Sequence, residues 1–267
     1  MLVARSCRGV GRWACCVALG AIVVAPIVTG CDEPKKPDQK PTVEAPPPSA
    51  TATVSADKPP TMPHVSLSTT SVSIGIDSMP LTTPMFDVSF GNMLKRYPVS
   101  QPDVVVFNID RMVKVPLVTK IFYALTDAGA KRFEVHTKPR GTFPDQLVID
   151  TENSVGADVR GCTYVSMVLN DLGAVFWRKQ GGRAKRYTKG MAGPDFSAMH
   201  VVMHKEAATC DSSVFLFSGG DSLDWGHAFD TAGSVKAADP AYEHINKLVL
   251  LRREPVPGKP VKLGTTK

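Results

Sequence analysis

The order of the predicted strands and helices most constrains the fold of this chain, because the same order occurs twice. Apolar and polar residues alternate over residues 64–76 and again over residues 164–177, and this period of two predicts strands. In each half there follow a helical pattern, a buried strand that ends in an acid, a second helix and a last strand. The sequence therefore predicts an α+β fold of two tandem units, each a small mixed β-sheet with two helices packed on one face.

Two apolar runs that end at Asp110 and Asp221 predict the central strand of each unit. Runs of this length suit strands that are buried on both faces. An acid at the end of such a strand is expected to cap the turn or helix that follows. Phe107 and Phe217 are expected to be buried at matching places in the two units.

Composition divides the rest of the chain. Residues 31–63 contain nine prolines among mixed charges, a composition that cannot bury a core and favours an extended linker. The predicted organisation has six parts: a signal peptide (1–30), a Pro-rich linker (31–63), a first unit (64–137), a connector (138–160), a second unit (161–252) and a tail (253–267).

The N-terminal segment predicts export from the cytoplasm and attachment to a membrane. An uncharged run, residues 13–30, follows three arginines and ends in small residues directly before Cys31, which is typical of a secretion signal. This end resembles the lipobox of bacterial lipoproteins, which implies that Cys31 is lipidated and becomes the mature N-terminus. The alternative is an uncleaved anchor, since about 18 apolar residues can just span a bilayer. Asp32, directly after the cysteine, favours the inner membrane with the folded part facing the periplasm.

Two cysteines remain for the folded part, Cys162 and Cys210. An even pair outside the cytoplasm predicts a disulfide between them. The alternative is two buried free thiols that act as small hydrophobic side chains.

One local cluster of basic residues stands out. Its members are Arg178, Lys179, Arg183, Lys185 and Arg186. Two interpretations stay open: a solvated hairpin loop, or a contact for a polyanion such as anionic lipid headgroups or cell-wall polymer. Half of the net charge of +6 lies in residues 1–30, so the charge of the mature chain does not indicate binding to nucleic acid.

The sequence contains neither a Gly-x-Ser-x-Gly elbow nor a phosphate-binding loop of the Walker type. His200 and His204 are four residues apart on a predicted helix and would make half a zinc site, but the glutamate of a His-Glu-x-x-His motif is missing. We therefore expect no catalytic residues, no cofactor and no metal, and a protein that is not an enzyme. A lipoprotein enzyme or small-ligand-binding protein without a recognisable motif is the alternative.

The order of elements resembles the periplasmic domain of the ExbD/TolR family of biopolymer-transport proteins, in two copies. Residues 107–110, 128–129 and 133–135 match the family pattern best: a strand that ends in Asp, a helix that ends near Gly, and a short final strand. Residues 214–221 and 248–250 match it more loosely.

The resemblance implies an interaction or adaptor module, associated with an envelope transport complex or in contact with peptidoglycan. It also implies a homodimer, because family members commonly dimerise and edge strands of such sheets can pair. Energy-transducing members carry an Asp inside their membrane helix, where a carboxylate is costly and therefore functional. Residues 1–30 contain no acid, so this chain is expected to lack proton-coupling residues of its own.

Overall fold

The computed structural model of the protein describes residues 64–100, 102–207, 209–236 and 244–264. The predicted signal peptide and Pro-rich linker, with Cys31 and Asp32, lie outside these residues. The described part contains four α-helices and one mixed sheet of eleven strands, and the protein is an α+β protein as predicted.

The first half of the chain follows the predicted order, with three strands before the first helix. Its elements are β1 (Val65–Leu67), β2 (Ser71–Ile74), β3 (Asp77–Pro80), α1 (Phe86–Leu94), β4 (Val105–Ile109), α2 (Val115–Asp127) and β5 (Arg132–His136). The connector contains β6 (Gln146–Asp150) and a single 3₁₀ turn at Glu152–Ser154. The second half contains β7 (Tyr164–Val168), β8 (Ala174–Arg178), β9 (Lys185–Tyr187), α3 (Phe196–Ala207), β10 (Val214–Gly219), α4 (Trp225–Lys236) and β11 (Lys247–Leu250).

All eleven strands belong to one sheet, in the order β3-β2-β1-β4-β5-β6-β11-β10-β7-β8-β9. In both halves the first three strands are antiparallel, and the first strand pairs in parallel with the strand that precedes the second helix. β6 joins the halves, because it is antiparallel to β5 and parallel to β11. Both halves thus share a continuous sheet, and the division into two tandem units stays a prediction.

Most of the largest fully buried side chains of the protein are aromatic. In the first half, the ring of Phe122 on α2 lies 4.0 Å from that of Phe133, which in turn lies 6.4 Å from Phe107. In the second half, the ring centre of Trp225 on α4 lies 6.3 Å from that of Phe217. Phe107 and Phe217 are both fully buried, as predicted.

The second half of the sheet is covered on both faces. Val155 and Val261 belong to a second apolar cluster with Trp177 and strand residues of β7, β10 and β11. The indole of Trp177 donates to Lys259 O at 3.1 Å, and the amide of Val261 donates to Lys179 O at 2.8 Å. The chain after β11 therefore packs along the sheet.

Cys162 and Cys210 form a disulfide, with their Cα atoms 5.7 Å apart, which confirms the predicted pairing. The bond joins the segments that precede β7 and β10, which are parallel neighbours in the sheet. Among the helices that the structure describes, none has the length and apolar character needed to cross a membrane.

Candidate functional site

The two halves contact each other through a short antiparallel pairing of backbone. Val115 donates its amide hydrogen to Leu223 O at 2.9 Å, and Trp225 donates its amide hydrogen to Val113 O at 2.7 Å. Val115 and Trp225 are the first residues of α2 and α4, so the two helices begin beside each other. This pairing brings the start of α2 close to the residues that follow β10.

The acids that end the two central strands have different partners. Asp110 Oδ1 accepts a hydrogen bond from the amide of Met112 at 2.9 Å, which is the turn-capping role expected from the sequence. The corresponding turn of the second half is held by Asn170, whose side-chain oxygen accepts from the amide of Ser222 at 3.1 Å. Asp221 is exposed, and its carboxylate interacts with that of Glu254.

A cleft of about 950 Å³ lies between α1, α2 and the carboxyl ends of β10 and β11. α1 lines it with apolar side chains that include Phe86, Phe90 and Leu94, whereas the segments after β10 and β11 contribute Asp221 and Glu254. The carboxyl ends of adjacent parallel strands are a common position for ligands in open sheets. The volume suits a small ligand or a few side chains of a partner. We call this cavity the α1–α2 cleft.

Two pairs of charged residues in the α1–α2 cleft are satisfied within the chain. Lys120 Nζ lies 2.5 Å from Asp87 Oδ1 and 5.5 Å from the ring centre of Phe86. Arg252 donates to the two carboxylate oxygens of Asp127 at 3.1 and 2.7 Å, and this hydrogen bonding raises the pKa of Arg252. Each of these four charges is therefore neutralised without a ligand.

Tyr123 is a buried residue that also lines the cleft. Its hydroxyl donates to Leu250 O at 2.6 Å, and the guanidinium of Arg252 lies 5.1 Å from its ring centre. Burial, followed by the charge of Glu152, raises the pKa of Tyr123, so the phenol stays protonated. It is a fixed donor that ties α2 to the last strand of the other half.

Asp221 and Glu254 are the acidic lining residues that lack a cationic partner. Within the described ranges, neither forms a salt bridge with a lysine, an arginine or a histidine. Burial, followed by the hydrogen bond to Asp221 and the charge of Asp221, raises the pKa of Glu254. This end of the cleft therefore carries negative charge that a cationic group is able to neutralise.

Three of the five basic residues in the predicted polyanion contact interact with other side chains of the same chain. Arg178 Nη2 lies 3.3 Å from Glu206 Oε2, and Arg186 Nη1 lies 2.7 Å from Asp171 Oδ2. Lys185 Nζ lies 5.6 Å from the ring centre of Tyr187. The two other members of the cluster, Lys179 and Arg183, lie on the same β8–β9 hairpin. This hairpin is not part of the α1–α2 cleft, and binding of a polyanion to it stays a prediction.

The part of the chain that the structure describes contains one group of side chains that could be considered as metal ligands. The one group of potential ligands found there is Cys162, Cys210 and Asp211, whose ligand atoms lie within 4.8 Å of one another. Both cysteines are oxidised in the disulfide, so their thiolates are not free to bind an ion.

The sequence pointed to half of the cleft. The helical pattern that precedes the first central strand predicts α1, and Asp221 is predicted as the acid that ends the second central strand. Glu254 was missed because it lies in the predicted tail, where no motif or period marks it.

Comparisons with protein-family models, with curated proteins and with solved structures find no match to this chain.

Proposed function

We propose that the protein is a non-catalytic binding module of the bacterial cell envelope. In this proposal a lipid on Cys31 tethers it to the inner membrane, and the Pro-rich linker, residues 31–63, holds the folded part away from the bilayer. The observation that carries a binding role is the α1–α2 cleft, which combines apolar side chains with the uncompensated pair Asp221 and Glu254. Concave, mostly apolar sites with a few placed polar groups are the usual form of a ligand site.

The side chains that line the cleft favour binding over nucleophilic catalysis. Ser100 and Ser218 are the serines among the described lining residues, yet none of those residues is a histidine. A serine nucleophile needs a general base within hydrogen-bond reach. Of the basic lining residues, Lys120 pairs with Asp87 and Arg252 pairs with Asp127 instead.

The resemblance to ExbD/TolR periplasmic domains supports a partner in an envelope transport complex, with peptidoglycan as the other candidate. The support comes from the order of strands and helices in the two halves and from the acid after each central strand. Since residues 1–30 contain no acid, the proposed role is that of an adaptor without proton transport of its own.

Gly91 offers a clean way to test the cleft. It lies on α1 and lines the cleft, and a Cβ atom at this position would meet no other heavy atom within 4 Å. Gly91→Trp therefore fills the cleft without a clash at its Cβ, and Gly91→Ala is the matched control, which also favours the helix.

The experiment is crosslinking of the tagged full-length protein in bacterial envelopes, followed by purification from detergent-solubilised membranes and mass spectrometry. We expect a crosslinked envelope component that the wild type and Gly91→Ala retain and that Gly91→Trp loses. Equal recovery with both variants would remove the cleft from the proposed function. A Cys31→Ser variant should keep the longer precursor and lose its lipid label, and unchanged gel mobility would contradict the proposed anchor.

A further inference from the structure

We infer that the α1–α2 cleft binds a segment of a partner protein that combines apolar side chains with an arginine or lysine, and that Asp221 and Glu254 receive the cation. This inference rests on the proposed function, because it takes the cleft to be the binding site. It adds the chemical class of the ligand and the residues that select it.

The charges that line the cleft do not balance. Asp87 and Asp127 are each paired with a cation of the same cleft, as described above. Lys95, the remaining basic lining residue, donates to the side chain of Asn92 at 3.4 Å. The two carboxylates of Asp221 and Glu254 are thus left beside each other at one end.

A cation placed between these carboxylates interacts with both and removes their mutual repulsion. Asp221 and Glu254 are both exposed at this end of the cleft, so a ligand can approach them from solvent. Arginine is the better match of the two basic side chains, since its planar guanidinium can donate to two carboxylates at once.

The apolar end of the cleft suits the rest of such a segment. The rings of Phe86 and Phe90 are stacked, with centroids 5.7 Å apart, and Phe86 is only partly buried. A long basic side chain can lay its aliphatic stem along apolar surface while its charged head reaches the carboxylates. A cleft of about 950 Å³ accommodates a few side chains of this kind.

A pair of peptides separates the contribution of the cation from that of shape. The first is a short fluorescent peptide of phenylalanine and leucine with one central arginine, and the second replaces the arginine with citrulline, which keeps the shape and removes the charge. Binding to the purified full-length protein is measured by fluorescence anisotropy. The variants are Asp221→Asn with Glu254→Gln, Gly91→Trp, and the control Asp211→Asn, which removes an exposed acid that does not line the cleft.

We expect the arginine peptide to bind at least about tenfold more tightly than the citrulline peptide. The Asp221→Asn/Glu254→Gln variant should lose this preference, Gly91→Trp should lose both peptides, and Asp211→Asn should behave as the wild type. If both peptides bind equally and Gly91→Trp blocks both, the cleft binds apolar segments, and the inference of a cation is wrong while the proposed function stands.

Two other results would overturn the inference. One is failure of the wild type to bind either peptide. The other is self-association of the wild type that Gly91→Trp abolishes, measured by analytical ultracentrifugation, because the occupant of the cleft would then be a second copy of the chain. The crosslinking experiment with Gly91→Trp reports on the proposed function independently of both.

Discussion

The ion pair between Arg111 and Asp230 should be among the most sensitive sites of the fold. Arg111 lies just after β4, and its guanidinium donates to both carboxylate oxygens of Asp230 on α4 at 3.0 and 2.7 Å. It also donates to Lys138 O at 3.0 Å and to Gly226 O at 3.2 Å. A Cβ atom at Gly226 would lie 2.7 Å from the guanidinium, so a larger residue there would displace the side chain of Arg111. The pair joins the first half of the chain to the last helix.

The expected loss differs between the two partners because their burial differs. The side chain of Asp230 is fully buried, whereas that of Arg111 is 18% exposed. Arg111→Met leaves a buried carboxylate without its cation, and removal of one member of a buried pair costs about 3–5 kcal/mol. Asp230→Leu leaves an arginine that reaches solvent and keeps two carbonyl acceptors, so we expect a smaller loss of about 2–3 kcal/mol.

Urea unfolding at neutral pH of the wild type, both single variants and the double variant gives the four free energies of unfolding that a double-mutant cycle requires. The double variant should be more stable than the sum of the single losses predicts, because neither charge is then left alone. If Arg111→Met costs less than about 1 kcal/mol, or if the two losses simply add, the pair does not couple the two halves of the chain.

Three further predictions concern the core, the disulfide and pH. Phe107→Ala should cost about 3–5 kcal/mol in urea unfolding, while Lys185→Ala should stay within about 0.5 kcal/mol, and similar losses would contradict the burial. Replacement of Cys162 and Cys210 by serine opens a separation of 48 residues and should lower the stability by about 4 kcal/mol, which an unchanged melting temperature would exclude. Burial and a neighbouring arginine lower the pKa of His227, so the native state resists a proton that the unfolded chain accepts below about pH 6.5. The melting temperature should therefore fall from pH 7 to pH 5, and fall less in His227→Gln; equal slopes would refute this.

Local patterns predicted most of the elements. The apolar run before Asp110 forms β4, Val105–Ile109, and the helix expected after it ends at Asp127, just before the predicted stop at Gly129. Gly129 has a φ of 110°, a conformation that favours glycine, and this is why a single residue marks the end of α2. Such signals are carried by neighbours in sequence, and they can be found in a single chain.

Contacts between distant residues were beyond these patterns. Nothing local in the sequence indicates that β6, which lies inside the predicted connector, pairs with β11 and so joins both halves into one sheet. The sequence did not predict the edge strands β3 and β9, because both are short and neither contains a run of apolar residues. The α1–α2 cleft combines segments far apart in the chain, and the contact between Asp221 and Glu254 depends on how the residues after β11 return across the sheet.

The position of β11 in the sheet has a consequence for a chain that emerges N-terminus first and folds as it emerges. The first five strands and β6 can pair as soon as they appear, but β6 and β10 each keep one open edge until Lys247–Leu250 arrives. Open edges of central strands attract other chains, and such non-local pairings form slowly. The last strand to appear therefore completes the centre of the sheet. A chain truncated before β11 would expose the unpaired edges of β6 and β10, which are prone to aggregation.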